Sequence, residues 1–409
     1  MLDYNNNKSL VVLKEETLKS TPDKKSIKLV PGISGLVNLG NTCYLNAILQ
    51  PLAHTVPFLI YMAEQKYMAS LESNIPEKDR EDTTSVCIDK LFQCMWREIC
   101  TISPKKIKDK IGVLSDIFAG NSQNDSQEVL GYILDSIHEE TKYKVNLTYN
   151  YSENVRLFIT KYQHLEKCKE KQIKDQLDIS VVNMQLEQLI NANRNEYTYY
   201  CAAKYWEKYV SNSYSIITDL FTGLFYTRTA CNKCGNISEA FDPFVTLSIE
   251  IKTETSSSLE ECLTHYSKEE LLKGEDSYSC TKCKEKVEAN KRIHIWEAPE
   301  VLIIHLKRFV GSGGKITRKI NTEVKIPFSD LELKDNYVNF NKISGKYRLY
   351  AVTAHNGNSG GGHYIAYTKN AIDDNWYSFN DESVYLEDES LQDIFNTSAY
   401  ILYYIKQKD

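Results

Sequence analysis

The chain has 409 residues, 42% of them hydrophobic and 11% aromatic, which is enough to bury a large core and too apolar for a disordered protein. A net charge of -6 offers no basic surface for nucleic acid, and a basic partner fits the balance better. Eleven cysteines, an odd count with two Cys-x-x-Cys pairs, point to a reducing compartment and against a disulfide framework.

Residues 1–30 are polar and lysine-rich apart from Leu10 to Leu13, and read as a tail. They lack an apolar signal core, and no later run approaches the ~18 apolar residues of a membrane span, so the expectation is an intracellular protein, cytoplasmic or nuclear, without membrane attachment. The ordered domain, 31–409, opens with closely spaced glycines from Gly32 to Gly40. Leu45, Ile48, Leu49 and Leu52 then repeat at i, i+3, i+4, i+7, which predicts a half-buried helix that begins near Cys43. Pro51 falls inside that pattern and predicts a kink or an early stop.

Residues 85–140 keep helical spacing, with Val129, Ile133 and Ile137 as a second stripe. The Lys-, Glu-, Gln- and Asn-rich stretch 161–209 reads as an exposed helical insertion or a partly disordered loop, and is the first place to look for a regulatory partner. After Thr218 come β-type runs at Leu224–Thr229, Phe244–Ile251, Val301–Phe309, Tyr347–His355, His363–Thr368, Trp376–Phe379 and Tyr400–Ile405. A helical first half and a strand-rich second half predict an α+β fold with a cleft between two lobes.

Two motif sets carry chemistry. Cys231-Asn-Lys-Cys234-Gly235 and Cys280-Thr-Lys-Cys283 are paired knuckles whose four thiolates can close a tetrahedral site around one structural zinc ion, with no position left for a reacting water. The second set is catalytic. Cys43, delivered by a Gly-rich loop to a helix start, lies where the dipole and the unpaired N–H groups favour thiolate and can receive an oxyanion, with Asn38 as a further amide donor. His363, in Gly360-Gly361-Gly362-His363-Tyr364, is the candidate base, with His355 as its rival. A turn would return Asn380 or Asp381 beside the ring, although Asn380-Asp381 also reads as a plain turn.

Gly35 to Thr55 and Tyr347 to Val384 resemble the cysteine and histidine boxes of the ubiquitin-specific protease family. Gln123-Asn-Asp125-Ser-Gln127-Glu128, Ile217 to Gly223, the two knuckles, Pro299 to Phe309 and Lys319 to Phe328 match in order. The resemblance implies a papain-like cysteine peptidase with a thumb (31–210), zinc-tipped β fingers (211–300) and a palm (301–409). It also implies ubiquitin and ubiquitinated proteins as partners, and hydrolysis at the C-terminal glycine of ubiquitin. By motif, Cys43 is the nucleophile, His363 the base, Asn380 the third member, Asn38 the oxyanion donor and Asp381 a supporting acid. Asp125 and Glu128 match contacts to the ubiquitin tail, and also read as N-cap and N3 of a capping box. Gly361, Gly362 and Tyr364 correspond to the wall of the tail channel, with 310–318 and 356–362 as mobile loops beside it.

Overall fold

A computed structural model describes residues 30–251, 256–312, 315–333, 345–358, 361–387 and 391–407. The predicted tail lies almost wholly outside the described residues, as do 313–314 and 359–360 in the two channel loops.

The helix Cys43–Ala53 is the axis of the fold. The apolar stripe predicted one buried face, yet all of its 11 residues are buried. The reason is its position, wedged between the helix Ser126–Thr141 and the hairpin formed by Lys346–Asn358 and Gly361–Lys369. Its amide side chains reach out to neighbouring segments: Gln50 Nε2 donates to Ser34 O at 2.8 Å. Pro51 has no N–H for the carbonyl of Ala47, one turn earlier. That carbonyl instead accepts the hydroxyl of Thr353, from the sheet, at 2.7 Å. The helix stops two residues after the proline, and Val56–Ala63 leaves at 84°. Among the described residues no single helix is long and apolar enough to cross a membrane.

The eight-stranded sheet runs in the order Ser383–Leu386, Trp376–Asn380, Gly361–Lys369, Lys346–Asn358, Ala399–Lys406, Val301–Lys307 and Thr246–Glu250, with Leu331–Glu332 beside Lys346–Asn358. Its central runs read as continuously apolar because both faces are covered. Val301 and Ile303 point into the core shared with the helical lobe, while Leu302, Ile304 and Leu306 point into a second core behind the sheet. The run Val301–Phe309 breaks at Arg308. Its fully buried guanidinium donates to the carbonyls of Ala399, Ile320, Thr322 and Asn396, and Phe309–Ser312 begins a separate hairpin with Lys315–Lys319.

A four-stranded sheet, ordered Ile237–Phe244, Gly223–Cys231, Ala289–Glu297 and Glu270–Leu272, extends away from the large one. The run Phe244–Ile251 is therefore two strands in two sheets, parted at Val245. The strands Ile237–Phe244 and Ala289–Glu297, which flank Gly223–Cys231 on its two sides, escape a sequence reading because polar and charged residues interrupt their alternation. The charged stretch forms three helices, Glu153–Lys174, Ser180–Ala192 and Arg194–Val210. The last packs Ala202, Tyr205 and Trp206 against Tyr226, Phe241 and Trp296 of the four-stranded sheet.

Thr353→Val keeps the side-chain shape and strips the Ala47 carbonyl of the hydroxyl that replaces the missing Pro51 N–H. It should cost about 1–2 kcal/mol in urea unfolding, with an unchanged m-value. A neutral effect would mean that Pro51 is accommodated in some other way.

Candidate active site

Cys43 is the first residue of its helix and 4% exposed. The loop before it is laced to itself, with Gly40 (φ 100) and Asn41 (φ 56) in left-handed conformations. Asn38 Oδ1 accepts from Gly40 N at 3.0 Å and Thr42 N at 3.1 Å, and Leu39 N donates to Thr42 Oγ1 at 2.8 Å. The N–H groups of Cys43 and Tyr44 belong to the first turn, which a helix leaves without intrahelical acceptors. Asn38 Nδ2 donates one hydrogen to Asp381 Oδ2 at 2.8 Å, which locks the carboxamide beside the helix start.

His363 lies across the cleft on the strand Gly361–Lys369. Its Nε2 and Asn380 Oδ1 are 2.5 Å apart, which leaves Nδ1 for the Cys43 thiol. Hydrogen bonding to the Cys43 side chain, against an opposing effect of burial and with help from Asn380 and Asp381, raises the imidazole from 6.5 to about 9. The charged ring is thus favoured, its pairing complete at neutral pH and lost as pH rises through about 9. Asp381 Oδ2 is 3.8 Å from Nε2. Asn380 and Asp381 are also a turn: Asn380 pairs with Ser383, and Asp381 (φ 51) turns the hairpin. The turn and the histidine contact coexist.

The rival His355 lies within the sheet. A Cβ on Gly362 would come 2.3 Å from its Nε2, and its ring packs edge-on to Tyr364 at 4.7 Å and Phe309 at 5.0 Å. Burial, then the charges of Lys319 and His363, hold it near 4. Among the described residues neither Cys43 nor Asn380 contacts it.

The predicted channel residues gather on the same side of the molecule as this group. Asp125 caps the helix Ser126–Thr141 through Gln127 N at 2.7 Å, and its other oxygen accepts from Tyr400 Oη at 2.5 Å. Asp125 reaches the N2 amide and not that of Glu128, and Glu128 makes no return hydrogen bond, so the predicted capping box does not form; burial and Asp125 raise the Glu128 carboxyl. Tyr364 is buried and supports the hairpin from within. Gly357 (φ 124), Gly361 and Gly362 shape the hairpin end, where Lys319 Nζ donates to His355 O at 2.7 Å and Gly357 O at 3.2 Å.

Two residues had no role in the sequence reading. Gln123 bridges the lobes beside His363: its Nε2 donates to Gly362 O at 3.0 Å, and its Oε1 accepts from Gly362 N at 3.4 Å. Asn46 Nδ2 donates to Asp381 Oδ1 at 2.8 Å, so Asp381 is gripped by two asparagines. The available signal was an amide three residues after Cys43 on a mostly apolar helix whose other amide is Gln50.

The sulfurs of Cys231, Cys234, Cys280 and Cys283 lie within 4.8 Å of one another, as a group that can hold a metal ion. Cys231 and Cys283 are 3.9 Å apart, and Cys234 and Cys280 3.7 Å. Both knuckles turn through a left-handed residue, Gly235 (φ 69) in one and Lys284 (φ 60) in the other.

Compared with known proteins, residues 34–404 match the sequence model of the ubiquitin carboxyl-terminal hydrolase family. The chain belongs to that family. Ubiquitin carboxyl-terminal hydrolase 2 of Homo sapiens is 31% identical over 388 residues, covering 93% of this chain and 56% of the human protein. Its Gallus gallus counterpart is 31% identical over 393 residues, covering 94% and 97%. Usp2 of Drosophila melanogaster is 30% identical over 396 residues, covering 95% and 36%, so the chain spans about a third to a half of the length of several relatives. Among solved structures, the SAGA DUB module Ubp8/Sgf11/Sus1/Sgf73 bound to monoubiquitin aligns with a TM-score of 0.64 at 23% identity, covering 93% of this chain and 72% of that one. That likeness gives the architecture. The helical lobe is the thumb of this hydrolase fold, the eight-stranded sheet its palm and the four-stranded sheet with the cysteine cluster its fingers.

Asn380→Ala removes an acceptor that stabilises the charged His363. The alkaline limb of kcat/KM on a ubiquitin C-terminal amide should move down by about one pH unit. An unmoved limb would show that Asn380 does not set the ring's protonation.

Proposed function

We propose that the chain is a deubiquitinase that hydrolyses peptide and isopeptide bonds at the C-terminal glycine of ubiquitin through Cys43, His363 and Asn380. The observation that carries the proposal is the 2.5 Å contact of Asn380 with His363, whose remaining nitrogen faces a thiol at a helix start, in a chain of this family. With its proton already on His363 Nδ1, Cys43 Sγ attacks the glycine carbonyl carbon. Negative charge then develops on the carbonyl oxygen, where the first-turn N–H groups and the second hydrogen of Asn38 Nδ2 receive it. As the C–N bond breaks, the imidazolium protonates the departing lysine amine. Water adds to the thioester with His363 as base, the C–S bond breaks and the carboxylate leaves. Asp381 holds Asn38 and lends charge to the ring. Asp125, Glu128 and the Gly361–Gly362 wall receive the tail, which needs glycines where the two lobes come closest.

The ion we assign to the four cysteines is zinc. Zn–S bonds of about 2.3 Å in a tetrahedron require sulfurs about 3.8 Å apart, close to the 3.7 and 3.9 Å observed. Four sulfurs close the site, so the metal is structural and lies far from the thiol chemistry in role. A cytoplasmic or nuclear setting suits free thiols, and the three-helix insertion is the surface we assign to a regulatory partner.

The purified chain should form a covalent adduct with an electrophile-tipped ubiquitin probe, and Cys43→Ala should form none while still binding ubiquitin. Adduct formation by Cys43→Ala, or none by the native chain, removes the proposal. Metal analysis should find one zinc per chain. Cys283→Ser should lose it and lower the Tm by several degrees, and full zinc retention in that variant would refute the ligand set.

A further inference from the structure

A cavity of about 680 Å³ lies where the insertion meets the root of the fingers. Its aromatic walls come from Tyr149 and Tyr151, ahead of the first insertion helix, from Tyr199 and Trp206 on the helix Arg194–Val210, and from Trp296 near the end of Ala289–Glu297. Glu196 and Glu297 are the only charged residues among those lining it, in a chain with 49 lysines and arginines.

The walls are built before anything binds. Tyr149 Oη donates to Ala203 O at 2.9 Å, and its ring stacks on Tyr151 at 5.5 Å. Tyr199 and Trp296 meet at 5.2 Å, nearly perpendicular. Ring faces carry negative potential, and five aromatic residues and two carboxylates line the cavity, while the nearby cations, Lys204 beside Tyr151 and Lys406 beside Glu297, stand outside the lining. Glu297 is exposed at the end of its strand, where an incoming cation can reach its carboxylate. A gap left by imperfect packing would be rimmed by aliphatic side chains. Here Leu224 and Val155 are the only large aliphatic residues in the lining.

We propose that this cavity is a second binding site, which takes the guanidinium or ammonium end of an arginine or lysine side chain on a protein partner. A volume of this size admits the side chain with water around it. The site is separate from Cys43 and does not depend on the hydrolytic reading. Because Tyr149 and Tyr151 lead into the insertion, Tyr199 and Trp206 lie on its last helix and Trp296 belongs to the fingers, binding would also clamp these elements together.

The full chain, labelled with nitrogen-15, can be titrated at low ionic strength with N-acetyl-arginine amide, and with N-acetyl-norleucine amide as the uncharged match. The readout is the Trp296 indole N–H resonance, assigned with Trp296→Phe. We expect a saturating shift from the arginine compound alone, with affinity weakened about three- to tenfold in Glu297→Gln. Glu196→Gln tests the same charge from the helix if Glu297→Gln fails to fold. Equal shifts from both compounds, no shift from either, or undiminished affinity in both variants would overturn the proposal. The source of the cation is read from KM on a ubiquitin C-terminal amide. A rise in Glu297→Gln assigns the cation to ubiquitin, and an unchanged KM assigns it to another protein. Binding is read without turnover, so a silent active site and an empty cavity are separate results.

Discussion

Everything at the catalytic centre depends on how one tight turn docks onto one loop. Asp381, near the C-terminal end of the chain, accepts from Asn38 and Asn46 through its two carboxylate oxygens and from Leu36 N through its carbonyl at 2.8 Å. Glu382 adds a carboxylate contact to Asn38 N at 2.9 Å. The approach is so close that a Cβ on Gly35 would stand 2.3 Å from Glu382 O. Hydrogen bonds to charged acceptors are worth about 1.5–3 kcal/mol each, and Asp381 is only 8% exposed, so water competes poorly for them. Through this turn the strand that ends in Asn380 is fixed against the loop that delivers Cys43. Without it the thiol and the imidazole would be related only by the packing of the helix on the His363 hairpin and by the Gln123 bridge.

The buried helix serves the same end. A helix with every residue covered cannot tilt toward solvent, so the position of its first residue is set by packing on both sides. Pro51 is tolerated because the sheet supplies a hydroxyl to the carbonyl it leaves unpaired, and that bond itself ties the helix to the palm. Arg308 works comparably behind the sheet, where four carbonyls share one guanidinium and, among the described residues, no carboxylate pairs with it. In both places the polar cost of an unusual residue is met by a contact between distant parts of the chain.

The pleat of one hairpin separates the two candidate bases. His363 is paired with Asn356, whereas His355 is paired with Tyr364 one step along. Cross-strand partners share a face and adjacent residues do not, so His363 faces the cleft while His355 faces inward against Tyr364 and Phe309. Both histidines flank the same glycine-rich turn in the sequence. A register difference of one residue gives them opposite surroundings, and the shifts toward about 9 and about 4 follow from that.

By itself the sequence determined what local pattern and residue chemistry can encode. The stripe after Cys43 fixed a helix, the apolar runs fixed most strands of the palm, and paired Cys-x-x-Cys spacing fixed the candidate ligands. Each of these depends on neighbours within a few positions. Tertiary structure alone decided that the Cys43 helix is covered on all sides, that Phe244–Ile251 divides between two sheets, and that the charged stretch folds as three helices against the fingers. It also set the two histidines on opposite faces of one hairpin, and gave contacts to Gln123 and Asn46, whose partners lie 239 and 335 residues away. The physical reason is common to all of these. Burial on a second face, the choice of sheet and the pairing of a lone amide are set by groups remote in the chain, and no local periodicity records where those groups will stand.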